Sequence, residues 1–152
     1  MTHDEHPPGS VAPGTSMLKV IPPRLLEPYL SGQRSVIAGY LYRAQDCTFR
    51  DVASLYDELA LGYPGSDFSG DMPEIGLLRW LALDMTGSLV PPLPGGGYEP
   101  GGGPAAAVPE FFSLPVPIPV GAEIHRLTQA GEELMARYDG QSWLRPARRP
   151  LS

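Results

Sequence analysis

The sequence contains no asparagine and only one lysine, Lys19, against ten arginines. That skew, beside abundant alanine, glycine and proline, follows codon composition and points to a GC-rich bacterial genome. The single cysteine, Cys47, excludes an internal disulfide and fits a reducing, cytoplasmic setting. Basic excess is also missing: the formal net charge is -6, which argues against a general phosphate-binding surface and so against nucleic acid. No apolar run approaches the ~18 residues that a spanning helix needs, so no membrane association is expected. The acidic start, Met1 to His6, has no apolar stretch behind it and does not read as a secretory leader.

Glycine (18) and proline (19) together make up about a quarter of the 152 residues, and these cannot populate helix or strand interiors freely. Hydrophobic residues at 42% still suffice for one modest core. The expected organisation is a disordered tail over 1–16, a single α+β domain over 17–145 interrupted by a Gly/Pro-rich linker at 91–110, and a basic tail over 146–152.

Val36 to Tyr42 is rich in β-branched and aromatic residues and apolar on both alternations, as a buried central strand would be. Thr48 as cap, Asp51 at the third helical position and the spacing of Val52, Leu55, Tyr56 and Leu59 predict a helix over 49–61, stopped by Gly62. For 73–83 the helical period is favoured over a strand, with Asp71, Pro73 and Glu74 as its start signals and Gly76 against it. Pro115, Pro117 and Pro119 remove amide donors from one side of an extended segment, which makes it an edge. Glu123 to Thr128, Glu133 to Tyr138 and Gln141 to Arg145 read as an antiparallel meander with Asp139-Gly140 as a hairpin turn. Ile124, Leu134, Tyr138 and Trp143 would form its apolar side. The fold class is therefore α+β: a small domain with a buried strand, one or two helices and a carboxy-terminal β-meander.

No complete catalytic set is legible. His3 and His6 stand in the tail with nothing to fix ligand geometry, so no metal site is assigned. His125, between Glu123 and Arg126, has the residue type for proton transfer but reads as a rim residue of the meander. The segment Asp67 to Glu74 alternates oxygen ligands near a glycine, yet position 12 of a calcium loop would fall on Leu78, so a turn and cap explain it better. Cys47 has Arg43 and Arg50 nearby and precedes a helix, which favours a thiolate, but it lacks a base close in sequence.

Leu41-Tyr42-Arg43 ends the presumed central strand on an arginine, directly before Gln45, Asp46 and Cys47. This resembles the first strand of ADP-ribosyl-transferring and NAD-cleaving folds. The resemblance implies NAD as the ligand, Arg43 as its phosphate clamp and Glu123 or Glu133 as the catalytic carboxylate. In those folds a Ser-rich strand and a late Glu-x-Glu or Gln-x-Glu pair accompany the arginine; here Glu132 and Glu133 are adjacent and no Ser-rich strand precedes them. An ion pair from Arg43 to Asp46 or Asp51 is the simpler reading.

The favoured function is non-catalytic and needs no cofactor: a protein-binding module, an adaptor or neutralising partner of a larger bacterial protein, with a basic partner attracted by the acidic surface. Arg126, Arg137, Tyr138, Trp143 and Arg145 are the candidate contact residues, because aromatic and Arg side chains are enriched at interface hot spots.

Overall fold

Antiparallel pairing dominates the chain. The structure, a computed structural model, describes residues 13–59, 61–62, 65–82, 89–90 and 111–146. The strands are β1 (Ser16–Ile21), β2 (Val36–Arg43), β3 (Glu74–Leu81), β4 (Leu89–Val90), β5 (Phe111–Pro117), β6 (Glu123–Thr128), β7 (Gly131–Tyr138) and β8 (Trp143–Leu144). They form one sheet in the order β4-β5-β2-β1-β3-β6-β7-β8. Two short helices, α1 (Leu26–Leu30) and α2 (Val52–Glu58), complete an α+β fold that is mostly sheet.

Alternation sorts the apolar side chains onto two faces. On the first, Met17, Ile21, Ile37, Leu41, Leu78, Trp80 and Ile124 pack with Leu26 and Tyr29 of α1. On the second, Leu18, Val20, Ile75, Leu77 and Leu127 pack with Val52, Leu55 and Leu59 of α2. The 3.6-residue spacing of these three α2 residues is what turns one helical stripe onto the sheet.

β2 is an interior strand, paired to β1 on one side and β5 on the other. Ile37, Leu41 and Tyr42 are buried, while Ala38, Gly39 and Tyr40 are only partly covered. The helix expected over 49–61 is shorter and starts later. Asp51 is its cap, accepting from Ser54 N at 2.8 Å while Ser54 Oγ accepts from Asp51 N. Thr48 serves elsewhere: its amide and hydroxyl, with the Phe49 amide, donate to the Glu58 carboxylate, which ties the loop back across the helix.

The helix expected over 73–83 is a strand. Both alternations of β3 are buried, Ile75 and Leu77 against α2 and Leu78 and Trp80 against the other face, and it pairs with β1 and β6 along its length. A segment covered on both sides carries no period-2 signal, so its sequence imitates a helix. Asp71 accordingly caps no helix; it accepts from Ser69 Oγ within the preceding turn.

The proline-alternating segment pairs only with β2 between Pro115 and Pro117, as the missing donors require, yet β5 as a whole is not an edge, because β4 pairs with Ser113 and Phe112. An extra residue in β5 interrupts the register opposite Ala38, next to Pro115. The linker at 91–110, His3, His6, Arg148 and Arg149 lie outside the described residues. Within the stretch read as tail, Gly14 N donates to Ala82 O and Thr15 O accepts from Ala82 N, so the ladder begins before Met17.

Candidate functional site

The meander forms as the alternation indicates, but with two local departures. Asp139 Oδ1 accepts from the amides of Gln141 and Ser142, which closes a four-residue turn between the paired Tyr138 and Trp143 instead of a two-residue hairpin. Met135 is a bulge residue: Ile124 faces Ala136, but His125 faces Leu134. The extra residue moves Leu134 to the face opposite Ile124, so Leu134 does not join the apolar side assigned to it.

That register builds a chain of charges on the α2 face. Arg79 of β3 binds the Glu132 carboxylate through Nε at 2.6 Å and Nη2 at 2.9 Å. Glu132 Oε2 lies 2.9 Å from His125 Nδ1, and His125 Nε2 lies 2.8 Å from Glu123 Oε1. Glu123 in turn accepts from Arg137. Burial alone would lower the His125 pKa, but its hydrogen bonds to Glu132 and Glu123 outweigh it and raise the value above 6.5. Burial likewise opposes ionisation of Glu132, yet His125 and Arg79 pull its pKa down to about 2. Arg137, then His125, holds Glu123 below the usual range. In its protonated form the imidazole donates to a carboxylate from each nitrogen, and in that form it has no lone pair to act as a base.

Leu134, Arg137 and Leu144 on the same face, with Tyr138, Asp139 and Arg145 at the end of the sheet, border an open groove of about 330 Å³. β8 is the terminal strand, and Leu144 is 55% exposed. Three of the candidate contact residues, Arg137, Tyr138 and Arg145, meet here. The Tyr138 ring turns to the other face together with that of its cross-strand partner Trp143: the two rings lie 5.0 Å apart at the border of the first core. Arg126 is apart from them, opposite Gly76 and Glu133 on the first face, with its Nε 3.3 Å from Glu74.

The residues implied by the NAD resemblance do not converge. Arg43 aligns with Met17, and Glu123 aligns with Arg79, which aligns with Leu18; Arg43 and Glu123 therefore occupy opposite faces. Arg43 binds Asp46 at 2.7 Å and lies over the Phe111 ring. Glu133 is on β7, four strands from β2 in the sheet order. Cys47 is no thiolate: burial, then Glu58 and Asp46, push its pKa up to about 12. Arg43, which favoured ionisation in the sequence, is taken up by Asp46. Asp67 pairs with Arg24 at 2.7 Å. Among the described residues, no group of three or more His, Cys, Asp or Glu converges as a metal site, and no helix is long and apolar enough to cross a membrane.

Sequence reasoning assigned no site role to Glu132, read only as the neighbour of Glu133, or to Leu134, read as part of the meander's apolar side, and did not single out Leu144. The i, i+2 spacing of Glu123 and His125 is a signal that could have placed the two on one face of a strand, but the partner strand's bulge, which brings in Glu132, leaves no mark in composition. Compared with protein-family models, curated proteins and solved structures, the chain matches none.

Proposed function

We propose that this chain is a non-catalytic protein-binding module that engages its partner at the β7–β8 end of the sheet. The observation that carries this reading is the groove beside β8, the terminal strand of the sheet among the described residues, where Leu134, Tyr138 and exposed Leu144 line it with Arg137 and Arg145. A terminal strand offers unpaired amides and carbonyls to an added strand, and alternate side chains of that strand would seat on the apolar and arginine groups. The net charge of -6 favours a partner that is basic overall. The neighbouring charge chain supports this role by holding Arg137 in place through Glu123.

The test is capture of partners from the native cell by wild-type protein and by Leu144→Glu. A stoichiometric partner retained by the wild type and lost from a variant with an unchanged thermal midpoint is the expected result. Equal retention by both places the interface elsewhere. Incubation with NAD addresses the enzymatic alternative, since nicotinamide release abolished by Arg43→Ala would overturn the non-catalytic reading.

A further inference from the structure

On the opposite face of the meander, the loop after α1 and the β7–β8 turn enclose a cavity of about 140 Å³. Its lining includes Tyr138, Trp143 and Ile118, with Arg34, Ser35, Gln141 and Ser142 as polar residues. Among the described residues, no acidic one lines it. The loop that carries Arg34 is fixed by its own backbone: Arg34 N donates to Pro28 O at 2.9 Å, and Gly32, with φ of 86°, makes the reversal that L side chains resist.

The Arg34 guanidinium lies 5.9 Å from the centroid of the Tyr29 ring and makes no ion pair with a carboxylate among the described residues. A second cation is close. Lys19, on the same face, reaches toward the bare backbone of Gly39, where an added Cβ would stand 3.3 Å from its Nζ. Burial first and the Arg34 charge second lower the Lys19 pKa to about 8. Arg34, the cation that lines the cavity, and Lys19 behind it oppose one another, and an anion on Arg34 relieves that repulsion.

We propose that this cavity binds a small aromatic carboxylate, its ring between Ile118 and the Tyr138–Trp143 pair and its carboxylate on the Arg34 guanidinium. The size agrees, since a cavity of ~150 Å³ admits a benzene ring. Arginine is the side chain whose planar fork matches a carboxylate with two parallel donors. The site is independent of the protein-docking reading, because the groove lies on the other face and shares only Tyr138 with it.

Benzoate titrated into the full chain at low ionic strength, with amide and indole NMR shifts as the readout, tests the proposal. Benzyl alcohol and acetate are the probes that lack the charge and the ring. The expected result is saturable benzoate binding with shifts centred on 31–35 and 141–143, and a preference of about tenfold or more over both probes, equivalent to ~1.4 kcal/mol. Arg34→Gln removes that preference and leaves binding of benzyl alcohol in place. The Arg34 side chain is exposed, so the variant is expected to fold; should it not, the wild-type shift map and the three-probe ranking decide alone. Benzoate binding no tighter than benzyl alcohol, shifts centred elsewhere, or an undiminished preference in Arg34→Gln overturns the assignment.

Discussion

Leu26 of α1 sits on the bare backbone of Gly76 in β3: a Cβ added at Gly76 would stand 2.5 Å from Leu26 Cδ2 and 3.1 Å from Ile21 Cβ. The glycine that weakened a helical reading of this segment is the point where the helix on the first face approaches the sheet. Gly76→Ala therefore overpacks the contact, and a loss of about 1–3 kcal/mol is expected. Chemical denaturation of Gly76→Ala, Leu26→Ala and the double variant measures it. If the pair is coupled, the double variant loses less than the two single losses combined; strict additivity would show that the close approach is not the cause.

The chain Arg79–Glu132–His125–Glu123–Arg137 predicts a pH optimum of stability. His125 has a raised pKa when folded, so its contribution is complete below about 6.5 and fades as pH rises through the raised value. Glu132 and Glu123 have lowered pKa values, so theirs are complete above about 4.5 and fade as pH falls, toward about 2 for Glu132. The cluster is therefore at its strongest between about pH 4.5 and 6.5. His125→Gln should flatten the alkaline side of the stability profile, and an unchanged slope between pH 6.5 and 8 would exclude the imidazolium.

Cys47 should be a slow thiol in the native protein. Its Sγ contacts Arg43 O at 3.5 Å, packs against the α2 core and titrates near 12. Against a free cysteine with a pKa of ~8.5, the thiolate fraction at pH 7.5 falls by a factor on the order of 10³. Disulfide-reagent kinetics with and without denaturant provide the check, and native reaction at the rate of the unfolded chain would contradict the burial.

The capping of α2 separates two threonine and aspartate roles. Asp51 holds the Ser54 amide, whereas Thr48 binds Glu58. Asp51→Ala should speed hydrogen exchange at Ser54 and lower the thermal midpoint, while Thr48→Val should loosen only the 47–50 loop. Faster exchange at Ser54 in Thr48→Val would restore Thr48 as the cap.

Where a segment carried its own local signal, the sequence was legible. α2 repeats at 3.6 residues and so reports one buried side, β6 and β7 are marked by the turn residues around them, and β2, apolar on both alternations, is marked by its β-branched and aromatic residues. β3 was misread because it is buried on both sides and leaves no alternation. The docking set was half legible: Arg137, Tyr138 and Arg145 line the groove, but Trp143, with the ring of Tyr138, and Arg126 lie on the opposite face, because the register between strands decides which face each residue takes.

The sequence by itself determined the amount of core, the strand and helix propensities of most segments, and the places where proline and glycine forbid pairing or require a turn. These are local properties, fixed by each residue's own backbone and side chain. Only the tertiary structure decided that β3 is a strand between β1 and β6, that Met135 bulges, and that His125 lies between two carboxylates. Those outcomes depend on register between segments distant in sequence, where a shift of one residue sends a side chain to the other face.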